Sequence, residues 1–293
     1  MATTTACVVC GVCAPRALRV ALRYGAICEC ASCGSGMLEP RPAATDLQAL
    51  HTASDYFEHP YFSTRRSLSA PIRAACEAKL ARIEAAVGTL RGKTMIDVGC
   101  DTGLLGAYAG ESRAMTCIGI DIFPRVVELG RAAGRDLRVG TLESLALPAA
   151  SADLLCAYDL LEHVTAPAAF VVEAKRVLRP GGVLALETPN YGGFIYRCGR
   201  LLARSGRHFA ALQERLWPPF HVQYFTAASL AALLRAAGYA QVEVTGRDLD
   251  GTELALTQSL LRAGVRAALT VGRVLGAPAL LTALAMTPAT PPR

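Results

Sequence analysis

The sequence predicts an α/β protein: a doubly wound, mainly parallel sheet with helices on both faces, preceded by a small cysteine-rich segment held by metal. Three observations predict it. From about residue 91 onward, short apolar runs rich in Val, Ile and Leu alternate with helical patterns, as right-handed strand–helix–strand crossovers require. The first of these runs enters "MIDVGCDTGLLG", residues 95–106, where an acid precedes a turn with Gly99, Gly103 and Gly106. Six of the eleven cysteines fall within the first 33 residues.

Composition narrows the classes of function. At 293 residues the chain can bury a sizeable core, and 52% hydrophobic against 18% charged residues describes a globular protein. The net charge of +6 is mild, arginine-based and scattered, with lysine only at Lys79, Lys93 and Lys175. No nucleic-acid footprint is expected. The opening "MATTTACVVC" lacks the basic and apolar regions of a secretory signal, and no run of about 18 uncharged apolar residues occurs, so a cytoplasmic chain is expected. The apolar tail, "LLRAGVRAALTVGRVLGAPALLTALAM", is interrupted by Arg262, Arg266 and Arg273 and reads as a helix followed by a strand.

The head of the chain, residues 1–40, contains "CVVCG" and "CASCG", two C-x2-C pairs nineteen residues apart. That spacing suits a structural zinc site of the ribbon or knuckle kind, with Cys7, Cys10, Cys30 and Cys33 as ligands. Glycine after each pair, Gly11 and Gly34, allows the positive φ that a knuckle needs. Cys13 is followed by Ala14 instead, and Cys28, two residues before Cys30, is surplus. Buried or redox-active thiols are the competing reading.

Residues 41–90 read as linker and lead-in helices. "EPRPAATD" is a Pro-rich boundary, "TDLQALH" a short helix, and "SDYFEHPYFSTRR" an aromatic loop that either packs on the main domain or covers a ligand. "APIRAACEAKLARIEAAVG" has helical periodicity and ends at Gly88.

Residues 91–293 carry the alternation. The strands are "KTMIDV", "MTCIGI", "DLRVG", "ADLLCAY", "GVLALET" and "QVEVTG"; the helices between them are "TGLLGAYAG", "PRVVELGRAAG", "PAAFVVEAKRVL" and "AASLAALLRAAG". Ligands of such sheets sit beyond the carboxyl ends of the strands, near the first strand. There the glycine spacing, Gly99-x3-Gly103-x2-Gly106, is not that of a dinucleotide turn. Asp97 before the turn and Asp101 inside it suit a cation better than a pyrophosphate. Asp121, ending the second strand twenty-two residues after Gly99, can accept both hydroxyls of a ribose. A ligand with a ribose, an ammonium and no phosphate is S-adenosylmethionine.

On "IDVGCDTG", "GIDIF", "LPAASADLLCAYDLLEHV", "RVLRPGGVLALETPN" and "HVQYFTAASLAALLRAAGY", in this order, the chain resembles the class I S-adenosylmethionine-dependent methyltransferases that carry an N-terminal zinc-binding segment, over roughly residues 5–287. The resemblance implies a Rossmann-like doubly wound sheet. It implies that Asp97, Gly99, Cys100 and Gly103 hold the methionine part of the cofactor. By the same likeness Asp121 holds the ribose, Ile122 lies beside the adenine, and Asp159 and Leu160 form the floor of the site. In "GTLESLALP", Thr141 stands where the family has an adenine-capping Asp. Leu142 follows it, and Glu143 is the acid available in its place.

His163, just past the fourth strand, is the candidate general base, with Glu162 to orient it. Asp159, Glu162 and His163 also resemble the E-x-x-E-H arrangement by which ubiquinone-pathway O-methyltransferases hold a divalent ion, with His221 matching their later His. Residues 190–225 interrupt the alternation and read as an acceptor-side cap around Trp217, Pro218, Pro219, Phe220 and Tyr224. Arg197, Arg200, Arg204 and Arg207 either form a solvated helical face or meet an acidic substrate or an anionic membrane surface. The expected activity is methyl transfer to a small-molecule acceptor, at oxygen first, with oligomeric state open. A nicotinamide-dependent oxidoreductase and an inactive cofactor-binding scaffold are the alternatives.

Overall fold

The computed structural model describes residues 6–12, 16–43, 67–204, 213, 215–249 and 259–289, with side chains of 259–262 excepted. "TDLQALH", the aromatic loop that follows it, Cys13 and Arg207 lie outside these residues.

In chain order the strands are β1 (Arg16–Leu22), β2 (Gly25–Cys30), β3 (Gly36–Glu39), β4 (Thr94–Val98), β5 (Thr116–Asp121), β6 (Leu137–Val139), β7 (Ala152–Tyr158), β8 (Leu178–Pro189), β9 (Gln223–Tyr224), β10 (Gln241–Arg247) and β11 (Leu280–Met286). The helices are α1 (Ala70–Val87), α2 (Leu104–Arg113), α3 (Pro124–Ala132), α4 (Pro167–Val177), α5 (Phe194–Arg204), α6 (Ala227–Ala236) and α7 (Ser259–Val274), with a 3-10 turn at Leu161–His163. Seven strands form the main sheet in the order β10-β11-β8-β7-β4-β5-β6. This is the Rossmann-like sheet that the alternation predicts. All neighbouring pairs are parallel except those of β11, which runs antiparallel to both β8 and β10. The tail strand thus inserts between two strands already present.

β4 is central and covered on both faces, which is why Met95, Ile96 and Val98 are all buried. α1 has Pro71 in its first turn and ends where Gly88, at φ 78°, donates to the Glu84 carbonyl at 2.8 Å. Its buried residues are Cys76, Leu80 and Ile83, of which Leu80 and Ile83 share one apolar cluster with Met95 and Cys156 of the sheet. α6 begins with a reciprocal capping box between Thr226 and Ser229. No helix among the described residues is long and apolar enough to cross a membrane.

The N-terminal segment is more than two knuckles. β1, β2 and β3 form an antiparallel meander, and β9 extends it by pairing with β3. Cys7, Val9, Cys30 and Met37 belong to the same apolar cluster as Leu161 and Phe225 of the main domain. Arg41 fastens the junction, donating to the Thr165 carbonyl at 3.1 Å and to Gln223 at 2.8 Å. Gln223 in turn donates to the Gly36 carbonyl at 3.0 Å.

Candidate functional site

Cys7, Cys10, Cys30 and Cys33 converge, their sulfurs all within 4.8 Å of one another. Cys7 and Cys33 are 3.8 Å apart, Cys10 and Cys30 3.9 Å. Four thiolates about 2.3 Å from a zinc ion in a tetrahedron stand about 3.8 Å apart, so the donor set and its size fit that ion. Both knuckles use their glycine as the spacing predicts. Gly11 (φ 72°) donates to the Cys7 carbonyl and Gly34 (φ 70°) to that of Cys30. The Cys33 side chain and the backbone N–H groups of Cys10 and Val9 favour the Cys7 thiolate, whose pKa falls to about 4. Cys28 stands outside the cluster.

The turn after β4 gathers three carboxylates. Asp97 is 6% exposed and has no hydrogen bond or ion pair through its side chain among the described residues. Burial pushes its pKa up to about 7; Lys79 opposes the rise, and the charges of Asp121 and Asp101 add to it. Asp121, also buried, accepts from the backbone N–H of Asp101 at 2.9 Å and of Phe123 at 3.0 Å, so it ties the turn to the end of β5. Burial raises it to about 6 against the pull of those N–H groups. Gly99 and Cys100 both donate to the Ile120 carbonyl.

The glycines of this turn serve packing as well as any ligand. Gly103, at φ 79°, starts α2, and a Cβ there would lie 2.7 Å from Leu137. Gly119 and Gly130 clear space for the same leucine. A Cβ on Gly99 would meet the Leu160 side chain at 3.1 Å, which brings together two predicted cofactor residues sixty-one positions apart. Cys100 is buried beside Val126, Val127 and Leu137, with its thiol pKa raised by burial and by Asp97. Toward the β5–β6 side, Ile122 is half-buried, Leu142 fully buried and Glu143 exposed. Thr141 and Ser144 cap one another in a short turn.

Beyond β7 the chain places Glu162, His163 and His221 together, with one ligand atom of each within 4.8 Å of the others. Asp159 is not in this group, although the sequence pattern joined it there: it is exposed and held at φ 53°, while its N–H bonds the Glu187 carbonyl. Glu162 is 2% exposed and accepts from the Thr188 hydroxyl at 2.9 Å. Burial, then the charge of Asp159, pushes Glu162 up to about 8. His163 Nδ1 is 3.1 Å from the Phe220 carbonyl oxygen. A carbonyl only accepts, so Nδ1 carries the proton and Nε2 is left with its lone pair. His163 stacks on Phe220 at 5.6 Å and meets the His221 ring edge-on at 4.7 Å.

Of the cap, Trp217, Tyr191, Tyr196 and Tyr224 are buried as an aromatic cluster, not spread as an open lid. The Tyr191 and Tyr224 hydroxyls and the Trp217 indole N–H have no partner among the described residues. Val222 donates to the Glu162 carbonyl and accepts from Leu38 of β3, so the cysteine-bearing sheet buttresses the Glu162–His163 turn. Arg197 and Arg200 donate to the carbonyls of Gly192 and Tyr191, and Arg200 also lies over the Tyr191 ring.

The residues at the glycine turn fit S-adenosylmethionine. An unpartnered buried carboxylate calls for a cation, and three acids around one turn repel a pyrophosphate. Lys79, half-buried above the same face, is a residue that periodicity alone did not single out. Its only signals are its place beside the α1 stripe and the rarity of lysine.

A family profile described as "Methyltransferase domain" matches residues 65–244. A probable S-adenosylmethionine-dependent methyltransferase of Mycolicibacterium smegmatis is 36% identical over 166 residues, covering 56% of this chain and 58% of that protein. A ubiquinone biosynthesis O-methyltransferase of Xylella fastidiosa is 34% identical over 169 residues, covering 54% of this chain and 65% of that protein. The match thus spans less than two thirds of either relative. Phosphoethanolamine N-methyltransferase 2 of Haemonchus contortus, solved with S-adenosyl-L-methionine, superposes with a TM-score of 0.60 at 13% identity, covering 86% of this chain and 62% of that one, a likeness of fold.

Proposed function

This chain belongs to the methyltransferase-domain family, and on that premise we propose that it transfers a methyl group from S-adenosylmethionine to a hydroxyl oxygen of a small-molecule acceptor. The observation that carries the reading is Asp97, a buried carboxylate with no partner among the described residues at the carboxyl end of the central strand. Asp97 takes the ammonium of the methionine arm, and Asp121 takes the ribose hydroxyls while still holding the turn. Bound S-adenosylmethionine supplies a methyl group on a positive sulfur, already activated for displacement. What remains for the protein is to align an acceptor and remove its proton.

His163 is suited to that step. With Nδ1–H engaged by Phe220, its Nε2 accepts the hydroxyl proton, and the stacked Phe220 ring fixes its plane. Glu162, His163 and His221 are also the residues that would hold a divalent ion; His163 would then ligate it through the same Nε2, and the ion's Lewis acidity toward the acceptor hydroxyl would take the place of the imidazole base. Two imidazoles and one carboxylate favour a transition metal over magnesium. Oxygen as the acceptor atom is further supported by the similarity to ubiquinone biosynthesis O-methyltransferases. Calorimetry with S-adenosylmethionine and S-adenosylhomocysteine tests the reading, followed by turnover on catechols and other hydroxylated acceptors with and without EDTA. Binding plus methyl ether formation is expected, with kcat falling about 10²- to 10⁴-fold in His163→Ala. No binding of either nucleoside by folded protein would refute it.

A further inference from the structure

We infer that Arg41 is a positioning residue of the acceptor site: its guanidinium locks the His163 and His221 segments to one another, and the zinc-loaded cysteine cluster supplies the negative charge that keeps it there. The inference rests on the reading of Glu162, His163 and His221 as the acceptor site.

Arg41 lies just past β3, at the end of the meander that carries Cys30. Its guanidinium donates through one arm to the Thr165 carbonyl at 3.1 Å and through the other to the Gln223 side chain at 2.8 Å. Thr165 is two residues after His163, and Gln223 is two residues after His221. A single planar fork therefore clamps both imidazole-bearing segments at the same offset, although they lie far apart in sequence. Two other bonds cross the same gap. Val222 donates to the Glu162 carbonyl at 2.8 Å, and His163 Nδ1 donates to the Phe220 carbonyl at 3.1 Å. Gln223 is fully buried and passes the constraint to β3, donating to the Gly36 carbonyl at 3.0 Å. The edge-on contact of the two imidazoles, 4.7 Å between centroids, needs both backbones held in this register.

Two neutral acceptors fix the direction of a guanidinium but do not balance its charge. Arg41 is half-buried and makes no ion pair among the described residues. The acids of the meander are committed elsewhere, Glu39 to Arg16 and Glu29 to Arg19. Burial and the charge of Arg16 lower the pKa of Arg41, and the charges of Cys7 and Glu39 oppose that fall. Cys7 belongs to the metal-type cluster. Four thiolates around a divalent ion leave a net negative charge, and a partly buried anion calls for a cation as Arg41 calls for an anion. With the cluster discharged, the guanidinium becomes a half-buried cation without a counter-charge. Turning it toward water releases Thr165 and Gln223 together.

Nuclear magnetic resonance of the histidine ring nitrogens tests this on zinc-loaded full-length wild type, Arg41→Met and Arg41→Lys, with His163→Gln and His221→Gln to assign the signals. Methionine keeps the apolar stem, whereas lysine keeps the charge without the fork. Elemental analysis, melting curves and S-adenosylhomocysteine affinity check that each variant retains its metal, its fold and its cofactor cleft. Neutral His163 in wild type should be the Nδ1–H tautomer. Arg41→Met should lose that preference and shift the His221 signals as well, at unchanged S-adenosylhomocysteine affinity. Its kcat for methyl transfer should fall about 10- to 100-fold, the usual cost of losing a group that orients a functional imidazole. Arg41→Lys should fall between the two. Chelating zinc from wild type should change the ring signals in the same way and add nothing in Arg41→Met. Unchanged ring signals in folded, zinc-loaded Arg41→Met overturn the inference, as do wild-type signals that survive zinc removal. A further change on chelating Arg41→Met overturns the role given to the cluster's charge. If Arg41→Met fails to fold or loses zinc, Arg41→Lys carries the same comparison. Wild type that binds the cofactor but methylates no hydroxyl overturns the acceptor-site reading instead, and the ring signals still decide whether Arg41 sets the imidazole geometry.

Discussion

Asp97 should make cofactor affinity depend on pH near neutrality. Its carboxyl titrates at about 7 in the free protein, while the ammonium it is to bind prefers the ionised form. The apparent Kd therefore rises by a factor of one plus the ratio of protonated to ionised Asp97. Between pH 7.0 and pH 5.5 that factor goes from about 2 to about 33, a roughly sixteenfold weakening. Asp121, at about 6, adds up to about fourfold over the same interval. Calorimetric titration of S-adenosylhomocysteine at half-unit steps reads this directly, and Asp97→Asn should flatten the steeper component. Stability runs the other way. The folded pKa of Asp97 lies above its ordinary 3.8, so protonation favours folding, and stability is lost as pH rises from about 4 through about 7. The shift corresponds to about 4 kcal/mol. Ligand-free Asp97→Asn should consequently melt no lower than wild type at pH 7.5, even though it binds more weakly. A pH-independent Kd in wild type, or a variant that loses stability and affinity together, would refute the assignment of Asp97 as the buried anion awaiting a cation.

Elemental analysis should find about one zinc per chain, abolished in Cys33→Ser; because Val222 links β3 to Glu162, chelation should lower both the melting temperature and turnover, and full activity in zinc-free protein would contradict that coupling. Gly103→Ala should destabilise by about 2–3 kcal/mol in chemical denaturation, since φ is 79° and the new Cβ would lie 2.7 Å from Leu137; a change below about 0.5 kcal/mol would show that Leu137 repacks freely.

The main sheet was legible because its signals are local. Apolar runs such as "MIDV" and "LLCAY" must be buried on both faces, and the helices between them leave only a doubly wound arrangement. The four metal-type cysteines were legible by spacing and by the glycine that each knuckle needs. Much less could be read of β1, β2 and β3. Their pairings are antiparallel and partly exposed, and β3 is completed by β9, some two hundred residues away in sequence.

What the sequence determined by itself, then, was chemistry tied to nearest neighbours: an acid before a glycine turn, an acid ending the next strand, and paired cysteines with their knuckle glycines. Tertiary structure alone decided which groups meet across the chain. It set Asp159 apart from Glu162, His163 and His221, because a positive φ at Asp159 leaves its side chain exposed while the following turn points inward. It inserted β11 between β8 and β10, and it brought Lys79 above the Tyr158 ring. The physical reason is the same in each case. Periodicity and spacing fix which face of an element a side chain occupies, whereas its partner is fixed only when another element packs against that face.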